Sequence, residues 1–185
     1  MIDANDLRYG IVIKNENKLY LVIETQHVKP GKGPAYVKAK LKNFLEGNVI
    51  EKTFRSNEKV EDVYIERRNM QFLYKSGNEY TFMDNKTYEQ ITLTEEMIGD
   101  ASKFLKEGMN VDIQFYNENP ISVVLPTFVE LKVVSTEPGV KGDTVSSPTK
   151  PATLETGVTV MVPLFINEGD IIKIDTRTNT YIERV

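Results

Sequence analysis

The sequence predicts an all-β protein built from small modules, and three observations lead to this prediction. Short runs of alternating apolar and polar residues recur along the chain, separated by turn-forming Asn, Gly and Pro. A single stretch, from Glu95 to Glu107, has a helical pattern. The length of 185 residues accommodates two or three modules of about 60 residues each.

The first third of the chain is predicted to form hairpins. YGIVI and KLYLVIET, joined by the turn NEN, make one hairpin. The strand AYVKAKLKN follows, with apolar side chains at 37, 39 and 41 on one face and lysines at 38, 40 and 42 on the other. This strand therefore has one face suited to a core and one positively charged face.

The middle third continues with predicted strands in VYIERRNMQFLYK, EYTFMD and YEQITL, which are followed by the helix. We expect the helix to bury Phe104 and Leu105 and to end at Gly108. Asp100 is its expected internal cap. MNVDIQFY and ISVVLP are the strands predicted after it.

In the last third, the predicted strands are FVELKVVST, VTVMVPLFI, IIKIDT and TYIERV. Residues 137–157 are rich in Gly, Pro, Ser and Thr and are predicted to form a long loop. Pro126 stands between two strand-like runs, where a module boundary is tolerated. We divide the chain into modules at residues 1–64, 65–127 and 128–185.

Charge is distributed unevenly among these modules. The net charge is −4, yet Lys and Arg outnumber Asp and Glu by 11 to 9 in the first module. The corresponding counts are 6 against 10 in the second module and 6 against 8 in the third. Residues 25–45 hold five lysines and no acid. Contact with a polyanion is therefore expected at one edge of the protein rather than over its whole surface.

Composition excludes several functional classes. Without cysteine, the chain has no disulfide, no thiolate nucleophile and no cysteine-ligated metal. The single histidine, His27, rules out multi-histidine metal sites, and we expect it to be packed or hydrogen-bonded at a strand end. We expect no cofactor and no metal. Because no apolar run approaches the roughly 18 residues of a membrane span and the N-terminus does not resemble a secretory signal, we expect a cytoplasmic protein.

The stretch HVKPGKGPAYVKAKLKN places Lys32 between Gly31 and Gly33, with Pro30 and Pro34 outside them. It is not a phosphate-binding P-loop, because the required G-K-[ST] and following helix are missing. Glycines remove neighbouring side chains and prolines stiffen the backbone, so the turn is predicted to be a narrow tip with one projecting amine. Such a tip can enter a crevice or be held by a modifying enzyme. The alternative is a surface hairpin with an incidental lysine.

Two stretches in different thirds of the chain carry a resemblance. HVKPGKGPAYVKAKLKN is similar to the lysine-bearing hairpin of the bacterial elongation factor P family, and KPATLETGVTVMVPLFINEG resembles the C-terminal signature of that family. The signature is matched by Lys150, Ala152, Gly157, Val160, Val162, Pro163, Ile166 and Gly169. EKTFRSNEKVE and QFLYKSGNEYTFMDNKTYEQ are also similar, so the resemblance covers nearly the whole chain.

The resemblance implies a fold and a function. Members of this family have an SH3-like (KOW-type) barrel followed by two OB-fold barrels. They are translation factors and not enzymes, and they bind the ribosome between the peptidyl and exit sites and relieve stalling at consecutive prolines. The tip residue, here Lys32, is extended by a modifying enzyme and approaches the acceptor end of the peptidyl-site tRNA. We expect a monomer.

The resemblance also implies a set of binding residues. The loop GVKGDT, residues 139–144, is similar to a family loop near exit-site messenger RNA, and the C-terminal YIER carries a pair that supports ribosome or tRNA contact. The expected tRNA- or ribosome-binding residues are Lys29, Pro30, Gly31, Lys32, Gly33, Pro34, Lys38, Lys40, Lys42, Gly142, Asp143, Thr144, Tyr181 and Arg184. The alternatives are that the loop glycines only shape a turn and that the C-terminal pair belongs to an edge strand.

Two other functions compete with this interpretation. A general single-stranded nucleic-acid-binding protein built from OB barrels needs exposed aromatic residues interleaved with cations along a groove. Here the basic residues cluster on one hairpin, and tryptophan is absent. An enzyme with carboxylate chemistry would need a defined pair of acids, and the 27 acidic residues form no recognisable site in the sequence.

Overall fold

The computed structural model describes residues 1–139 and 148–185. Within these ranges the chain forms two compact units. The first contains Met1–Arg67 and Gln114–Ser122, and the second contains Arg68–Ile113 and Val123–Val185. Strands make up most of the secondary structure and form three hydrogen-bonded sheets in the described ranges. The prediction of an all-β protein is confirmed.

The first sheet has six strands. They are β1 Ile2–Asp3, β2 Val12–Asn15, β3 Lys18–Val28, β4 Tyr36–Asn43, β5 Val49–Arg55 and β6 Lys59–Val63, and a 3-10 helix spans Ala4–Asp6. Their order in the sheet is β1-β6-β2-β3-β4-β5. The sequence patterns did not predict β5, because charged and polar residues fill most of that strand and Phe54 is its one buried side chain.

The alternation predicted for β4 is confirmed. Val37, Ala39 and Leu41 are 0% exposed and belong to the core of this sheet. The three lysines between and after them are exposed on the opposite face. His27 lies near the strand end, as expected, since it pairs with Val37 close to the end of β3, but the expectation that it is packed is wrong because its side chain is exposed. The core ends at Val37 and does not extend to the histidine.

The second sheet has five strands, and the helical segment lies between two of them. The strands are β7 Glu66–Ser76, β8 Glu79–Asp84, β9 Gln90–Thr94, β10 Asn110–Tyr116 and β11 Asn119–Val124. Their order is β11-β10-β7-β8-β9.

The helix is much shorter than the predicted range of 95–107. The α-helix α1 spans Glu95–Ile98, and a 3-10 helix continues over Gly99–Phe104. Gly99 has a φ of +68°, which α-helical geometry does not allow. The cap is Thr94, whose hydroxyl oxygen accepts a hydrogen bond from the backbone N–H of Met97 at 3.3 Å, and not Asp100. Burial of the apolar residues at 104 and 105 is confirmed.

The third sheet also has five strands. They are β12 Phe128–Thr136, β13 Thr149–Leu154, β14 Thr159–Pro163, β15 Ile171–Asp175 and β16 Thr180–Arg184. Their order is β14-β13-β12-β15-β16. β13 lies inside the predicted loop at 137–157, so that prediction is wrong for this segment. The inward positions of β13 include Lys150, which is only 6% exposed, and a buried lysine conceals the apolar alternation of a strand.

Pro126 lies between β11 and β12, as expected. The module boundaries after residues 64 and 127 stay predictions. No helix in the described ranges is long and apolar enough to cross a membrane.

Candidate nucleic-acid interface

The predicted hairpin is a long, supported projection of the first sheet, which we call the finger. It consists of β3, β4 and the connecting residues 29–35, which we call the tip. The two strands pair as far as Val28 and Tyr36, where the tip begins and ends. β4 also pairs with β5 up to Tyr36 and Arg55, so the strand is held on both sides along its whole length. The finger therefore presents its tip from a fixed base.

The tip exposes Lys32 to solvent together with the residues on both sides of it. Gly33 has a φ of +100°, a conformation that residues with a side chain rarely adopt, so glycine is required there. A Cβ atom added to Gly31 would meet nothing within 4 Å, so no contact inside the protein requires glycine at that position. The expected narrow tip with a projecting amine is present, and its two glycines act differently.

Lys40 is not an isolated charge on the lysine face. Its ammonium group lies 2.7 Å from Oε2 of Glu24, and Glu51 is its cross-strand partner on β5. The hydrogen bond and the charge of Glu24 raise the pKa of Lys40 above its ordinary value. The expectation of five lysines without a counter-charge is therefore wrong for this residue, because its partner lies one position before the 25–45 window.

Four other lysines of the finger have no such partner. Within the described part of the chain, no ion pair engages Lys29, Lys32, Lys38 or Lys42, and all four are exposed. These four lysines are available for contact with an anion. The finger thus brings together nine of the expected binding residues, namely Lys29, Pro30, Gly31, Lys32, Gly33, Pro34, Lys38, Lys40 and Lys42.

The C-terminal pair lies on one face of β16 because of an irregularity in the pairing register. Tyr181 pairs with Ile174, the register then shifts, and Arg184 pairs with Ile172. Both partners are fully buried, so the two residues share a face although they are three apart in the sequence. Tyr181 packs against the core of the third sheet and is half-buried.

Arg184 is held over an aromatic ring. Its guanidinium lies 5.4 Å from the centroid of Phe165 and 3.8 Å from Oδ2 of Asp170. Half of its side chain remains exposed, at 51%. Phe165 was not predicted from the sequence, because it precedes Arg184 by 19 positions and no local pattern connects the two residues.

The remaining expected residues, Gly142, Asp143 and Thr144, lie outside the described residues. The described residue at the start of this loop, Gly139, has a packing role, because an added Cβ would lie 2.6 Å from the carbonyl oxygen of Leu164. Lys150 is a second structural residue nearby, and its ammonium donates to the carbonyl oxygen of Glu137 at 2.6 Å. Among the described residues, no group of three or more histidines and acids is placed to hold a metal ion.

Three family models match the chain. Residues 3–60 match the model described as the elongation factor P KOW-like domain, and residues 65–123 match its OB domain. Residues 129–184 match the model described as elongation factor P, C-terminal. With the three sheets, these matches confirm the predicted fold class of an SH3-like module followed by OB-type barrels.

Curated relatives and solved structures agree with this fold. Elongation factor P of Coprothermobacter proteolyticus is 54% identical over 185 residues and covers all of both chains. Elongation factor P of Natranaerobius thermophilus is 56% identical over 185 residues, covering all of this chain and 98% of that protein. A structure described as eukaryotic translation initiation factor 5A from Methanococcus jannaschii has a TM-score of 0.55 at 24% identity, and the match covers 64% of this chain and 88% of the other.

Proposed function

Since the chain belongs to the elongation factor P family, whose members are translation factors rather than enzymes, we propose that it places its finger beside the peptidyl-site tRNA. The ribosome is its partner. The proposed binding position lies between the peptidyl and exit sites, with Lys32 directed at the acceptor end of the tRNA. The proposed result is faster peptide-bond formation at consecutive prolines.

The observation that carries this proposal is the exposed Lys32 at the end of a finger whose strand β4 is paired on both sides. Three further lysines without ion pairs in the described residues, Lys29, Lys38 and Lys42, follow it along the finger. Cations in this arrangement reduce the repulsion between RNA phosphates and the approaching protein. The net charge of −4 for the whole chain discourages RNA contact over the rest of the surface.

Positioning of the tRNA end is sufficient to increase the rate of peptide-bond formation. Proline reacts slowly in peptide-bond formation because its ring restricts the available geometry. A finger that steadies the end of the tRNA favours a near-attack arrangement of the reacting groups. No acid or base on this protein is needed, because the ribosome performs the chemical step.

Lys32 is also the proposed site of covalent modification. Its exposure at the tip gives a modifying enzyme access to the amine, and the extended side chain would reach further along the tRNA than lysine itself. Protein purified from its natural host should therefore carry added mass on Lys32 and resist trypsin at that bond, as measured by intact mass and peptide mapping. An unmodified Lys32 in that sample would contradict this part of the proposal.

Two further contacts belong to the proposal. Tyr181 and Arg184 share one face of the third sheet, and we place them against the ribosome or the tRNA. Gly142, Asp143 and Thr144 are proposed to lie near exit-site messenger RNA. The protein is proposed to act as a cytoplasmic monomer with modules 1–64, 65–127 and 128–185.

A translation reporter containing consecutive prolines tests the proposed function. Full-length product should fall toward the level without the factor when Lys32→Ala replaces the natural protein. Lys132→Ala is the matched control, because Lys132 is an exposed lysine of the third sheet outside the proposed contacts. Equal product from Lys32→Ala and from the control would reject the proposal.

A further inference from the structure

A cleft of about 640 Å³ opens in the first compact unit at the base of the finger. One wall is a cross-strand row in which Val12 pairs with Leu21 and Leu21 pairs with Lys42. This row lies on the same sheet face as the lysines of β4. Arg67 and Gln114 also line the cleft. Its volume falls within the range of about 300–1,000 Å³ that is typical of ligand-binding pockets.

The turn between β4 and β5 provides an apolar wall of fixed shape. The side-chain oxygen of Asn43, which is 4% exposed, accepts hydrogen bonds from the backbone N–H groups of Leu45 and Glu46, each at 2.9 Å. Gly47 has a φ of +76° and donates its N–H to the carbonyl oxygen of Asn43 at 3.0 Å. The turn is therefore well defined, and it holds Leu45 at 77% exposure beside the half-buried Phe44.

The charge of the cleft favours an anion. Lys42 is exposed and has no ion pair in the part of the chain that the structure describes. Arg67 also lines the cleft and has an interaction of its own within the protein. Glu46 is the one carboxylate among the lining residues, and the ammonium of Lys18 neutralises it at 3.1 Å. A ligand for this cleft should therefore combine a negative charge with a flat apolar surface, and it should also form hydrogen bonds.

We propose that the cleft binds one nucleotide, with its phosphate at Lys42 and its base against Phe44 and Leu45. The amide of Gln114 provides hydrogen-bonding groups for the base or the ribose. This inference rests on the proposed function, since it names a specific RNA subsite on the lysine face. The same chemistry is offered by a free nucleotide and by one nucleotide of a bound RNA strand, and the experiment separates these two sources.

The test uses the full chain labelled for NMR, with AMP as one probe and a single-stranded RNA of about ten nucleotides as the other. The backbone amide signals of Leu45, Glu46 and Gly47 should shift on addition of the RNA. Leu45→Ala should weaken RNA binding at least about fivefold, because a base loses its apolar contact. Met161→Ala is the matched control, since Met161 is an exposed apolar residue of the third sheet at 53% exposure.

The outcomes are distinct. Shifts with both probes mean that the cleft accepts a free nucleotide, and shifts with RNA alone mean that it requires the strand; both results support the proposal. Unmoved turn signals with both probes, or equal RNA binding by Leu45→Ala and Met161→Ala, would overturn it. A negative result for nucleotide binding in the cleft would not reject the proposed function. The proline reporter depends on Lys32, which lies at the other end of the finger.

Discussion

The two glycines beside Lys32 have different physical roles. Gly33 has a φ of +100°, so its lack of a side chain is needed for the path of the tip. Gly31 has open space where a Cβ would lie, and nothing in the isolated protein uses its small size. The absence of a side chain at Gly31 is therefore useful only if the tip enters a narrow space on a partner.

Alanine at each glycine separates these roles. Gly33→Ala should lower the free energy of unfolding by about 1–2 kcal/mol because of the left-handed backbone. Gly31→Ala should change it by less than about 0.5 kcal/mol yet reduce synthesis of a proline-rich reporter. Urea unfolding and the reporter assay measure the two effects. Full reporter activity of Gly31→Ala would argue against a confined tip.

Single residues were predicted best where neighbours in sequence are also neighbours in space. The tip residues from Lys29 to Pro34 are contiguous, so their shared exposure followed from the sequence. The contact between Glu24 and Lys40 joins two strands and was missed. Counting paired positions from the tip toward the base of the finger would have found this contact. Gln26 pairs with Lys38, and two positions further along each strand Glu24 pairs with Lys40.

At the scale of elements, the finger depends on the position of β4 between β3 and β5 in the first sheet. One face of β4 belongs to the core, and the other displays lysines. Both edges of the strand are hydrogen-bonded to neighbours. The same strand therefore anchors the finger through apolar packing and supplies the charges for its proposed contact.

Substitution on the two faces of β4 should have opposite consequences. Leu41→Ala should lower the free energy of unfolding by about 2–4 kcal/mol, because the side chain is 0% exposed in the core. Lys38→Ala should change it by less than about 0.5 kcal/mol, because this side chain is in solvent and has no ion pair among the described residues. Chemical denaturation measures both. Similar losses for the two variants would contradict the assignment of the faces.

Element prediction failed where composition hid the burial pattern. β13 contains a buried lysine and a proline, and both suggest a loop in the sequence. The predicted helix was cut short by Gly99, whose positive φ ends α1 after Ile98. The strongly alternating β4 was predicted correctly because three lysines and three apolar residues mark its two faces.

For the whole molecule, the sequence predicted the fold class and the position of the finger, but it did not predict sites that combine distant segments. Arg184 and Phe165 meet across the third sheet, and Tyr181 shares a face with Arg184 only because the register shifts. The cleft at the base of the finger draws residues from 10 to 122. Such arrangements depend on strand order and register, which local patterns do not specify.

Charge distribution over the whole molecule reconciles the net charge of −4 with the proposed contact with RNA. Four exposed lysines without ion pairs in the described residues lie on one finger, and the two later modules are acidic. This distribution favours contact by one edge and discourages general RNA binding. The central claim is that this finger accelerates a reaction performed by the ribosome.

The most direct test is the rate of peptide-bond formation between two prolines on purified ribosomes. The natural protein should raise this rate, whereas Lys32→Ala should bind the ribosome and leave the rate near that measured without any factor. Addition of each protein to saturation separates binding from acceleration. Equal acceleration by the natural protein and by Lys32→Ala would contradict the account.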